Sequence, residues 1–257
     1  MSLLTESIGR VFKITINRPS DGNRWNGDVS QALQPILSDL ANDTAHQVIV
    51  FTGAGAEFCL GSFNPAIRAG MAKADIVAFV MELNQLLDRL EALPQITIAA
   101  MNGRAHGSGV ELSLACDLRY VSSATSIAFP EADMGGFPGA GAPVRLPQAV
   151  GAARALEMIC TGRLVGAAEL LHVGFAQGLF EAETFNADVL EISRRIASKG
   201  PLALRGAKRI VRTRNAAGFA EARMLSDQLR RELEWSADVD EALLAHKEGR
   251  APNFKGF

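Results

Sequence analysis

Strand-like and helix-like segments alternate along the first 150 residues, and that alternation limits what the chain can fold into more than any single motif does. VFKITI (11–16) puts Phe12, Ile14 and Ile16 on alternate positions, the period of a half-buried strand. VIVFTG (48–53), ITIAAM (96–101), LRYVS (118–122) and IAF (127–129) are further short runs rich in β-branched or aromatic residues. Between them, residues 74–93 carry Ile76, Phe79, Leu83, Leu86, Leu87 and Leu90 at helical spacing, with Pro94 beyond the end. A second helical pattern follows Asn26 through Val29, Leu33, Ile36, Leu37 and Leu40, with Pro35 either kinking it or marking a late start. Strands separated by such helices predict a parallel sheet covered by helices. Past residue 150 the strand signals end, and 151–160, 167–173, 186–198, 201–214 and 219–235 all read as helices. The expectation is an α/β core followed by an all-helical tail.

Composition narrows the function classes. The 257 residues are 48% hydrophobic and 21% charged, enough to bury a large core and too apolar for disorder. With 26 basic and 28 acidic side chains the net charge is −2, so the chain as a whole is not a polyanion binder. No run approaches the ~18 apolar residues of a membrane span, and the first residues lack a leader-like apolar stretch. A cytoplasmic protein with no membrane partner is therefore expected. Cys59, Cys116 and Cys160 are odd in number and far apart, which fits neither a disulfide framework nor a CxxC metal site. One stretch departs from the average: residues 194–214 hold eight basic side chains and no acidic one. Arg205, Lys208, Arg209 and Arg212 share one helical face there. A solvated face is favoured over a phosphate-contacting stripe, and the lack of interleaved aromatics speaks against nucleic acid.

Three glycine-bearing segments follow strands: FTGAGAEFCLGSFNP (51–65), MNGRAHGSGVELSLACD (101–117) and FPEADMGGFPGAGA (129–142). Glycine at a strand exit lets backbone N–H groups turn toward a ligand without obstruction by Cβ. In the second segment Gly107-Ser108-Gly109 opens an apolar helical run, so unpaired N–H donors and the helix dipole converge on one spot. Such a spot can hold an anion or a developing oxyanion. A dinucleotide fingerprint fails because Leu112 stands where its third glycine belongs. No GxxxxGK[ST] loop occurs, and Ser108 lacks the GxSxG frame of a serine-hydrolase elbow. Glu111 and Glu131 lie at two of these turns beside apolar elements. Each alone reads more simply as a dipole partner at a helix start. Together they suit acid/base work, since desolvation raises a carboxyl pKa toward the range of a proton shuttle.

Taken in order, ITINRP, FTGAGAEFCLGSF, IAAMNGRAHGSGVELSLACDLRY, PEADMGGFPGAGAPVRLP, CTGRLVGA and the closing DEALLAHKEGRAPNFKGF resemble the crotonase (enoyl-CoA hydratase/isomerase) family nearly end to end. The resemblance implies an α/β fold: a crotonase-like spiral of ββα units over residues 1–195 holding a CoA-thioester site, and a C-terminal helical trimerisation domain over 196–257. It further implies self-association as a trimer or dimer of trimers. In the family the residue after the glycine of the FCAGAD-like motif supplies one oxyanion-hole N–H, which falls on Ser62. The middle glycine of NGxAxGGGxE supplies the other, which falls on Ser108. The glutamate ending that motif and the glutamate of the later PE pair match Glu111 and Glu131. Substrate contacts are expected at Ser62, Phe63, Asn64, Pro65, Ser108 and Gly139. His106, where the family has small or apolar residues, is expected to be a satisfied structural group before a catalyst.

The function so implied is hydration of the 2,3 double bond of an enoyl-CoA, with CoA arriving as part of the substrate and no metal or other cofactor. The alternatives are Δ3-Δ2 enoyl-CoA isomerisation, another CoA-thioester reaction such as hydrolysis or C–C cleavage, and a non-enzymatic RNA-binding member. In the hydratase reading the hydroxyls of Ser62 and Ser108 are spectators and only their backbone N–H groups act.

Overall fold

The computed structural model describes residues 1–62 and 70–257. An antiparallel hairpin, β1 (Leu3–Ile8) and β2 (Val11–Ile16), opens the chain. Then come α1 (Gly27–Ala41), β3 (Val48–Gly53), α2 (Lys73–Glu91), β4 (Ile96–Met101), β5 (Ala105–His106) and α3 (Ser108–Ala115). They are followed by β6 (Leu118–Ser122), β7 (Ser126–Ala128), α4 (Ala142–Val150), α5 (Ala152–Thr161), β8 (Val165–Gly166), α6 (Ala167–His172) and β9 (Gly178–Phe180). Four helices close the chain: α7 (Phe185–Ala197), α8 (Pro201–Ala216), α9 (Phe219–Glu234) and α10 (Ala237–Glu248).

The main sheet has the order β1-β2-β3-β4-β6-β9 and is parallel from β2 onward. Its strands are covered on both faces, which explains why β3 reads as a continuous apolar run and is buried at every position. Period-2 geometry sends Ile49 and Phe51 into the larger core with α1, α2 and α3, while Val48 and Val50 pack with Phe185 and Val189 of α7. A smaller sheet, β5-β7-β8, stands apart. The isolated parallel bridge Cys59–Ala105 ties the segment after β3 to that second sheet. This is the element that brings the glycine-bearing turns together.

Asn26 caps α1, its Oδ1 accepting from Val29 N–H at 3.1 Å, and the helix runs past Pro35 without ending. Strands do not stop at residue 150. β8 and β9 follow, each too short to show a period, and β9 gains its place only by pairing with β6. β1 escapes sequence reading because only Leu3 of its six residues is buried. The sequence-drawn boundary at 195/196 falls within the last turn of α7.

The basic run is not simply solvated. Lys208 is 8% exposed, pairs with Asp117 at 2.7 Å and donates to the Gln95 carbonyl at 2.7 Å. Arg212 reaches the other Asp117 oxygen at 2.8 Å and the Glu91 carbonyl. Those partners lie far away in sequence, so periodicity could not reveal that the stripe anchors α8 to the core.

Candidate active site

Backbone pairing aligns the three glycine-bearing segments. His106 N–H donates to the Cys59 carbonyl at 3.0 Å, and Gly107 N–H donates to the Ala128 carbonyl at 3.0 Å. The second segment therefore lies between the first and the third. Gly107 has φ +47°, and a Cβ there would collide with Oε1 of Glu131. A Cβ on Gly109 would run into the Cys59 carbonyl. Glycine at both positions lets the start of α3 seat against both neighbours.

Glu111 is 2% exposed in the first turn of α3, yet its carboxyl does not cap that helix. Oε1 accepts from Ala140 N–H at 2.7 Å and Ala142 N–H at 3.0 Å, both in the third segment. Burial pushes its pKa up to about 7 against those two donors, and the nearby charge of Glu131 adds to the rise. Glu131 follows β7, and its side chain caps nothing in the short 3-10 turn that succeeds it. Its Oε2 is buried with no partner among the described residues, and burial raises its pKa as well. The dipole-partner reading thus gives way: Glu111 is fixed to the third segment and Glu131 lies against the Gly107 turn, both with pKa values raised by burial.

The two serines meet directly. Ser62 N–H donates to Ser108 Oγ at 2.6 Å. Ser108 is the first residue of α3, so its own N–H has no intrahelical acceptor. The segments thus bring both expected donors to one place, but the Ser108 hydroxyl is not the spectator expected from sequence. Its side-chain oxygen already takes the Ser62 donor.

Gly139 packs its α-carbon against Val80 of α2, and its carbonyl accepts from Asn84 Nδ2 at 2.6 Å, which positions Ala140 beneath Glu111. Phe63, Asn64 and Pro65 lie outside the described residues. His106 corrects a second expectation, since its Nε2 is buried without a partner among the described residues and burial holds its pKa below the usual value. Sequence reasoning missed Ala140 and Ala142, whose contribution is backbone alone. The sole hint was the small-residue run GAGA that lets the chain come close. Arg145 was missed too: it donates to the Ala140 carbonyl at 3.2 Å and is held by Asp88 at 2.5 Å and Glu91 at 2.7 Å.

Chemically, this arrangement offers backbone donors able to stabilise a developing oxyanion and two carboxyl groups whose pKa values burial raises, Glu111 to about 7. Comparison with known proteins bears on the chain as a whole. A family model described as enoyl-CoA hydratase/isomerase matches residues 6–256. The 2,3-dehydroadipyl-CoA hydratase of Escherichia coli is 32% identical over 252 residues, covering 96% of each chain. An enoyl-CoA isomerase/hydratase of Mycosarcoma maydis is 32% identical over 263 residues, covering 96% of this chain and 93% of that one. The crystal structure of an enoyl-CoA hydratase from Bacillus anthracis superposes with a TM-score of 0.96 at 33% identity over the full length of both chains. A crotonase fold and likeness along nearly the whole chain lead to one conclusion: the chain belongs to the enoyl-CoA hydratase/isomerase family.

Proposed function

We propose that the protein adds water across the 2,3 double bond of an enoyl-CoA thioester. The observation that carries this reading is a pair of glutamates, Glu111 buried and Glu131 half-buried, both with pKa values raised by burial, in a chain that also brings the Ser62 and Ser108 N–H groups together. In this scheme the thioester oxygen accepts from those two N–H groups, which stabilise the enolate as it forms. Glu111, its Oε1 fixed by two backbone N–H groups, takes a proton from the water that attacks C3. Glu131, which lies against the Gly107 turn, delivers its proton to C2. The sum is one water added, with the two carboxyls left in exchanged protonation states that a proton transfer resets. Coenzyme A arrives with the substrate, and the scheme uses no metal or redox group.

Isomerisation of a 3-enoyl-CoA by Glu131 alone is the second reading, supported by that unpartnered Oε2 and by the relative named for both activities. A panel of 2-enoyl-CoA and 3-enoyl-CoA esters separates the two through absorbance of the conjugated thioester, which hydration removes and isomerisation creates. Self-association as a trimer or dimer of trimers is part of the same proposal. It is supported by exposed apolar side chains on the C-terminal helices, with Trp235 at 89% and Met224, Val211 and Leu243 nearby in sequence.

A further inference from the structure

Ser108 offers the Ser62 N–H an acceptor before any substrate arrives. The contact is short, 2.6 Å, and the side chain that makes it is 3% exposed. Oγ is tethered through Cβ and Cα to the second donor, the Ser108 N–H, and covalent geometry keeps it within roughly 4 Å of that nitrogen. An oxygen bonded to Ser62 N–H and held this near Ser108 N–H sits where a thioester oxygen accepting from both would sit. With glycine at 108 no such oxygen exists. We propose that the Ser108 hydroxyl is a resident competitor for the oxyanion hole, and that a CoA thioester must displace it to bind.

This rests on the reading that the two N–H groups receive a thioester oxygen. The displacement is completed on binding, so it burdens the bound substrate and the transition state alike. Its removal therefore shows in the binding constant and in KM. The selective element is the carbonyl: a CoA ligand without that oxygen has no reason to move the hydroxyl.

The test measures dissociation constants of butyryl-CoA and of S-butyl-CoA, the thioether lacking the carbonyl oxygen, for the natural protein, Ser108→Ala and Ser108→Gly. The expected result is ~3–10-fold tighter binding of butyryl-CoA in both variants, the scale of one neutral hydrogen bond, with S-butyl-CoA unchanged. KM for the reactive enoyl-CoA should fall in step. Equal affinity changes for both ligands, or no gain for the thioester, overturns the proposal. Failure of the hydratase reading looks different. There the natural protein leaves 2-enoyl-CoA unhydrated while the variants still favour thioester over thioether.

Discussion

Replacing Glu111 with glutamine should cost activity and gain stability, and the gain should depend on pH in a defined direction. Glu111 is 2% exposed, and its pKa rises from 4.5 to about 7, chiefly through burial. A carboxyl with a raised folded-state pKa keeps its proton where the unfolded chain has already lost it. Its contribution is thus fully present below about pH 4.5, declines as pH rises and is gone above about 7. At ~1.36 kcal/mol per unit, the whole span corresponds to about 3 kcal/mol of stability lost on going to alkaline pH. Glutamine stays neutral throughout and still presents an oxygen to the N–H groups of Ala140 and Ala142. For a chain this long, 1 kcal/mol moves Tm by ~2–4 °C, so Glu111→Gln should melt roughly 6–12 °C above the natural protein at pH 8.5. At pH 5 the two melts should nearly coincide. Thermal unfolding of both proteins at equal concentration across pH 5–8.5 checks this. A gap of the same size at both ends, or a natural protein that gains on the variant as pH rises, would refute the reasoning.

Two further outcomes follow from particular contacts. Ser62→Ala keeps the backbone donor, so steady-state kinetics should show kcat changed only several-fold, well short of the ~10² for a lost oxyanion donor; a larger loss would mean the hydroxyl does chemistry. Asp117→Ala strands the buried Lys208 ammonium beside Arg212 and should destabilise by about 3 kcal/mol in urea unfolding, whereas a surface pair would cost under about 1 kcal/mol.

What was legible in the sequence was whatever a local pattern dictates. Asn26 three residues before Val29 announced the start of α1, and the β-branched runs at 48–53 and 96–101 became the two central strands at those same bounds. The glycine turns pointed to Glu111 and Glu131 because glycine is needed where α3 meets its neighbours, and the pattern around them carried the family likeness. What stayed hidden depends on the fold. β5 has two residues and exists only by pairing, and the donors to Glu111 are main-chain groups that any residue could supply. The Ser108 hydroxyl looked inert because its acceptor role requires Ser62, on a different segment, to lie within hydrogen-bonding distance. Lys208 looked solvated for the same reason: Asp117 is its neighbour in space alone.

The central claim is that Glu111 and Glu131 together hydrate an enoyl-CoA, and the most direct test is the hydration rate of a 2-enoyl-CoA by the natural protein, Glu111→Gln and Glu131→Gln, followed by loss of the conjugated-thioester absorbance. The account predicts that the natural protein hydrates and that each variant, still folded, loses at least ~10² in kcat. Full hydration activity in Glu111→Gln, or a natural protein that converts 3-enoyl-CoA to 2-enoyl-CoA and adds no water, would contradict it.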